Sequence, residues 1–340
     1  MKTPGPVPPQ LLRIVDANTN RIGEGLRFLE EIARMVLNDS GLTGQLKNLR
    51  HELVRSDLPF QKQLLQARDA AGDVGANLEV PADKQRDLPS AIVANSRRVQ
   101  ESLRVMEELG KIPGLPPNAA NFQQARFALY TVEKTLLSRL LRQDKAKKIS
   151  GLYVVIDIPS SKKDKPVEVA RQAIRGGAGI IQLRDKSVAK KELLPVAQSV
   201  KDLCAGHDVL FIINDCLDLA LAVDADGMHT GHEDLPVDVV RRLLPIDKLL
   251  GVTVSTVEQA KAAQNDGADY IAVDNLETLR EIRQAISLPL VATAVSPDNL
   301  DEVLAAGADS IAITVAGLSA RNIAETCRDI AERFKNGTDR

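Results

Sequence analysis

From Gly151 onward the chain alternates short β-rich runs with amphipathic stretches, and no other feature constrains its fold as much. The runs are Leu152–Ile156, Gly179–Leu183, Val209–Ile213, Gly227–His229, Lys248–Val252, Tyr270–Val273, Pro289–Thr293 and Ser310–Thr314. Between them apolar residues recur at i, i+3 and i+4, as in Val167–Ile174, Leu193–Leu203 and Leu276–Ile286. Such alternation predicts a parallel sheet with crossover helices. Eight units of this kind predict a compact α/β fold, the (β/α)8 TIM barrel. Gly177-Ala178-Gly179, Ala225-Asp226-Gly227, Gly267-Ala268-Asp269 and Gly307-Ala308-Asp309 recur at strand starts. There glycine supplies a left-handed helix stop, which is turn chemistry rather than a sign of catalysis.

In such a barrel the chemistry sits at the C-terminal ends of the strands. The second run ends in Gln182-Leu183-Arg184-Asp185-Lys186 and the third in Asn214-Asp215. The fourth ends in His229-Thr230-Gly231-His232-Glu233-Asp234. Arginine and lysine suit phosphoryl oxygens. Carboxylates with few companions suit a Mg²⁺ ion also held by substrate phosphates. These residues predict a site for a phosphorylated or pyrophosphorylated small molecule with Mg²⁺, the alternative being a salt-bridged barrel rim. His229-x-x-His232-Glu233 follows a strand, so the helical geometry of a zinc HExxH site is absent.

The order and spacing of these stretches resemble the thiamine-phosphate synthase family. Added to them are Asp218-Leu219-Ala220-Leu221-Ala222-Val223 and the run from Ala225 to Pro236. The resemblance spans about residues 151–335. It implies a Mg²⁺-dependent condensation of a hydroxymethylpyrimidine pyrophosphate with a thiazole phosphate, giving thiamine phosphate and pyrophosphate. Carried over by resemblance, Arg184, Lys186 and Asn214 hold the pyrophosphate and Asp215 and Asp234 ligate Mg²⁺. Gln182 and His229 line the pyrimidine pocket. Thr253 keeps a hydroxyl where the family has serine.

Later stretches depart from the family pattern. The sixth run passes through Asp274-Asn275 straight into a helix, without the family's lid loop. Ala294 and Val315 fill or adjoin positions where glycine and serine amides hold the thiazole phosphate. These departures keep two other readings open: a barrel like the thiazole tautomerases, and a non-catalytic phosphate-ligand-binding protein.

The first half reads as all-α and carries an internal duplication. Ala17–Glu31 recurs as Ala94–Glu108, an offset of 77, with Ala, Asn, Arg, Glu, Leu, Arg, Glu and Glu in register. A duplicated helix pair forming one bundle is the economical reading. Asn18/Asn95, Arg21/Arg98 and Glu24/Glu101 drift along one helical face, which predicts a buried salt-bridge spine, with an anion site as the alternative. This half resembles the extension fused to some bacterial members of the family. The expected domains are a helical unit over 1–145 and a barrel over 150–340, joined at Lys145-Ala146-Lys147-Lys148.

Composition narrows the partners. Residues 1–150 carry 23 Lys+Arg against 17 Asp+Glu, a net of +6, while 151–340 carry 21 against 29, a net of −8. The whole is −2, which is no polycation for nucleic acid, and the nine aromatic residues include no tryptophan for stacking bases. Three widely spaced cysteines offer no disulfide framework, so a reducing cytoplasm is expected. No run approaches the ~18 apolar residues of a membrane span. The expected partners are therefore small phosphorylated substrates, with no nucleic acid and no membrane, and a homo-oligomer is compatible with the sequence.

Overall fold

The structure, a computed structural model, describes residues 7–54, 58–69, 72–73, 86–113, 115, 119–157, 166–185, 188–231, 234–293, 299–314 and 320–338. The chain divides into two compact units, Met1–Leu141 and Arg142–Arg340.

The first unit is helical: α1 (Pro9–Glu31), α2 (Ser40–Val54), α3 (Leu58–Ala67), α4 (Leu88–Leu109) and most of α5 (Ala119–Lys147). Pro9 opens α1, where a missing N–H costs nothing. Asp87 caps α4 by accepting the Ser90 N–H at 2.8 Å, and Ser90, through its side chain first and this N–H second, holds the Asp87 carboxyl below the usual range. The duplication is visible in the packing. Ile22, Leu26 and Leu29 of α1 are buried together with Val99, Leu103 and Met106, their counterparts on α4. The helices approach closely at Gly25, where a Cβ would lie 2.4 Å from Val99 Cγ2; its counterpart is the buried Ser102.

The structure overturns the expected Asn-Arg-Glu spine. Arg21, Glu24, Arg98 and Glu101 are exposed along one cleft of about 530 Å³, and none of them makes an ion pair among the described residues. The buried ion pairs use other members of the repeat. Arg50 Nε meets Glu30 at 2.9 Å, and Arg126 Nε meets Glu107 at 2.6 Å. The two glutamates are the same repeat position, both are buried, and each takes an arginine from the next helix.

The second unit closes as a barrel. Its strands are β1 (Gly151–Asp157), β2 (Ile180–Arg184), β3 (Leu210–Asn214), β4 (Gly227–Thr230), β5 (Leu249–Thr253), β6 (Tyr270–Val273), β7 (Leu290–Ala292) and β8 (Ser310–Thr314). They pair in parallel, in sequence order, with β8 returning to β1. Each strand falls within one residue of its expected run at either end. Helices α6 (Pro166–Arg175), α7 (Lys190–Ala205), α8 (Leu217–Ala222), α9 (Val237–Leu243), α10 (Val257–Asn265), α11 (Leu276–Ala285), α12 (Leu300–Ala305) and α13 (Ala320–Thr338) connect or follow them. Strand residues are buried almost throughout, as expected where helices cover one face and the lumen the other.

The strand-start echo does more than turn the chain. Asp226, Asp269 and Asp309 precede β4, β6 and β8. Each accepts a backbone N–H of the preceding strand, from Phe211 at 3.0 Å, Leu250 at 2.9 Å and Leu290 at 2.8 Å. Each also meets a cation from a covering helix: Lys201, Arg241 and Arg283. These carboxylates tie strand to strand at the N-terminal rim and leave the opposite rim for chemistry. Among the described residues no helix is long and apolar enough to cross a membrane.

Candidate active site

Adjacent strands deliver their polar residues to one mouth. β1 ends at Asp157, β2 at Gln182 and Arg184, β3 at Asn214, β4 at His229 and Thr230, and β5 at Thr253. Register fixes the neighbours: Asp157 pairs with Arg184, Asn214 with His229, His229 with Gly251 and Gly251 with Tyr270.

Four of the expected residues, Gln182, Asn214, His229 and Thr253, belong to one hydrogen-bonded chain. The Gln182 amide donates to Asn214 Oδ1, and Gln182 Oε1 accepts from the Tyr153 hydroxyl at 2.6 Å. Tyr153 meets Tyr270 hydroxyl to hydroxyl at 3.0 Å. Tyr270 meets His229 Nδ1 at 3.3 Å, and His229 Nε2 meets Thr253 Oγ1 at 2.8 Å. The middle of this chain is sealed in the lumen: Tyr153 is 1% exposed, Tyr270 0%, Gln182 5% and His229 7%. Its ends, Asn214 and Thr253, are half-buried. Both tyrosine hydroxyls are pushed well above their usual pKa by burial.

His229 is neutral at physiological pH. Burial first, then the Arg184 charge, hold its pKa down at about 4 against the opposing pull of Asp234. The charges of Arg184 and Asp234 are thus both felt at this imidazole. Arg184 Nη2 donates to Asp157 at 2.8 Å, a half-exposed contact that positions the guanidinium without burying it.

The other expected residues are less constrained. Asp215 follows β3 with φ at +57°, and its N–H donates to the His229 carbonyl at 2.9 Å. Asp234 accepts the Gly231 N–H at 2.8 Å. Lys186, and Ala294 and Val315 at the later strand ends, lie outside the described residues. The sixth strand does run directly into α11, whose N-cap Asn275 accepts the Thr278 N–H at 3.0 Å.

Sequence reasoning missed Tyr153, Tyr270 and Asp157. A signal was available for the tyrosines: the chain has only three, and two fall inside barrel strands. A tyrosine buried in a lumen must give its hydroxyl a partner.

Comparison with known proteins decides the family. A thiamine-phosphate synthase of Nostoc sp. (strain PCC 7120 / SAG 25.82 / UTEX 2576) is 36% identical over 321 residues, 88% of each chain. The chain belongs to the thiamine-phosphate synthase family. The thiamine-phosphate synthase of Synechococcus sp. (strain CC9605) is 34% identical over 97% of both chains. These relatives thus match the helical half of this synthase-family chain as well as its barrel. The family model described as thiamine monophosphate synthase matches residues 152–316, and the ThiD2 family model matches 13–135. Among solved structures, a thiamine phosphate pyrophosphorylase from Pyrococcus furiosus is 31% identical, with a TM-score of 0.52. It is matched over 98% of its own length and 57% of this chain. Such likeness favours a synthase over the tautomerase-like or non-catalytic readings.

Proposed function

We propose that the barrel condenses a hydroxymethylpyrimidine pyrophosphate with a thiazole phosphate, releasing pyrophosphate and forming thiamine phosphate. The observation that carries this reading is the hydrogen-bonded set Gln182, Asn214, His229 and Thr253 at one mouth, beside Arg184, in a chain of this family.

The chemistry asks for a departing pyrophosphate and a stabilised pyrimidinylmethyl cation, which the thiazole nitrogen captures. The C–O bond to pyrophosphate breaks with its electron pair leaving on oxygen, and a C–N bond then forms. No protein nucleophile is needed. Arg184, Lys186 and Asn214 bind the pyrophosphate and neutralise the charge that grows on it. Gln182 and the neutral His229 line the pyrimidine pocket from beneath, behind Asn214 and Thr253; a neutral imidazole adds no positive charge beside the cation. Thr253 offers a hydroxyl at the far side of the mouth.

Asp215 and Asp234 would hold Mg²⁺. They are hard oxygen donors, and two carboxylates suit an ion completed by phosphate oxygens and water. Mg²⁺, when bound, neutralises phosphoryl charge as pyrophosphate leaves.

We further propose that units 1–145 and 150–340 act as separate domains, that the protein works in the cytoplasm, and that it forms a homo-oligomer. The deciding experiment is pyrophosphate release by the full chain supplied with both substrates and Mg²⁺. Release with stoichiometric thiamine phosphate supports the reading; no product under these conditions overturns it.

A further inference from the structure

Proton counting along the buried chain gives it a direction. Gln182 Oε1 can only accept, so Tyr153 spends its single proton there. Tyr153 must then accept from Tyr270, which spends its own proton. Tyr270 has none left, so at His229 it accepts, and Nδ1 carries the hydrogen. In a neutral imidazole Nε2 is then bare and accepts from the Thr253 hydroxyl. At the other end the Gln182 amide donates to Asn214 Oδ1, which leaves both Asn214 Nδ2 hydrogens for other partners.

We propose that Tyr153 and Tyr270 are positioning residues that polarise the site, so that its Asn214 end can offer donors and its Thr253 end offers an acceptor. This rests on the synthase reading of the barrel. Only these two ends of the chain are half-buried; every group between them is sealed, so the ends are where a ligand can read the polarity. Asn214 Nδ2 suits phosphoryl oxygens. Thr253 Oγ1, its hydrogen committed to His229, can meet a substrate only as an acceptor, which suits an N–H. A phosphorylated heterocycle with an amino group is therefore admitted in one orientation, phosphate toward β3 and amine toward β5. His229 has both ring nitrogens engaged, so it transmits the direction instead of contacting substrate through a nitrogen. A ligand offering an acceptor at the Thr253 end would meet unpaired lone pairs, the costly kind of mismatch.

The test reads the tautomer directly. The full chain is labelled with ¹⁵N-histidine and the His229 signals are assigned by their loss in His229→Gln. The expected result at neutral pH is a protonated Nδ1 and a bare Nε2. In Tyr270→Phe, which keeps the ring, the tautomers should mix. The KM for the pyrimidine pyrophosphate should rise about tenfold, as for one lost hydrogen bond, while the KM for thiazole phosphate holds. A protonated Nε2 in the unaltered chain overturns the proposal, as does a Tyr270→Phe variant with unchanged tautomer and unchanged KM. If that variant does not fold, the tautomer in the unaltered chain decides alone. The tautomer needs no turnover, so a failure of the synthase reading would appear separately, as absent product.

Discussion

Gly251 and Tyr270 are register partners on β5 and β6, and the tyrosine ring occupies the space a Cβ on Gly251 would need. That Cβ would lie 2.0 Å from Tyr270 Cζ and 2.4 Å from its hydroxyl oxygen. The ring is fully buried, so it cannot swing out into solvent. Gly251→Ala should therefore displace the ring and break the chain at its centre. A loss of about 1–3 kcal/mol in chemical denaturation is expected, the usual range for overpacking a core. Unchanged stability together with full activity would show that the lumen absorbs a methyl group.

The pH dependence follows from His229. Its folded pKa of about 4 lies below the ordinary 6.5, so between these values the unfolded chain binds the extra proton. Stability should be full above about pH 6.5 and should fall as pH drops toward 4, by up to about 3 kcal/mol from this residue. Comparing the pH dependence of denaturation midpoints for the unaltered chain and His229→Gln isolates the effect. Parallel curves would contradict it.

Arg184 sits at the mouth in a half-exposed pair with Asp157, a contact worth about 1 kcal/mol or less. Arg184→Ala should leave the melting temperature nearly unchanged. Loss of one charge-stabilising donor should lower kcat/KM roughly 100-fold or more. Steady-state kinetics with varied pyrimidine pyrophosphate will measure it.

Asp215 holds a left-handed φ of +57°, a conformation that asparagine tolerates well. Asp215→Asn thus removes charge with little backbone cost. Calorimetry should show pyrimidine pyrophosphate affinity losing its dependence on Mg²⁺, with the fold retained by circular dichroism. Retained Mg²⁺ dependence would remove Asp215 from the metal site.

In the helical unit the two arginine classes should behave differently. Arg126 serves the core-facing Glu107, whose carboxyl is held below the usual range first by that hydrogen bond. Arg126→Ala leaves that carboxylate without its main partner and should cost about 3 kcal/mol. Arg21 is exposed and unpaired among the described residues, so Arg21→Ala should stay within about 0.5 kcal/mol. Hydrogen exchange of α1 and α4 in the full chain distinguishes the two outcomes.

The architecture and most of the strand ends at the mouth are legible in local patterns of the chain. Strand and helix periodicities are local, so Leu152–Ile156 or Tyr270–Val273 declares itself without its neighbours. Once eight such units imply a barrel, the strand ends Gln182, Arg184, Asn214, His229 and Thr253 are placed by topology. Duplication was legible for the same reason, being a comparison of the chain with itself. Tertiary structure alone decided who bonds to whom. Tyr153 and Tyr270 stand 117 residues apart and meet because the barrel closes. The repeat marked Arg21 and Arg98 as strongly as Glu30 and Glu107, and packing alone turned the glutamates inward. Periodicity states which face a residue occupies; ring closure and helix crossing set what lies opposite, and hydrogen bonds and buried ion pairs depend on that opposite partner.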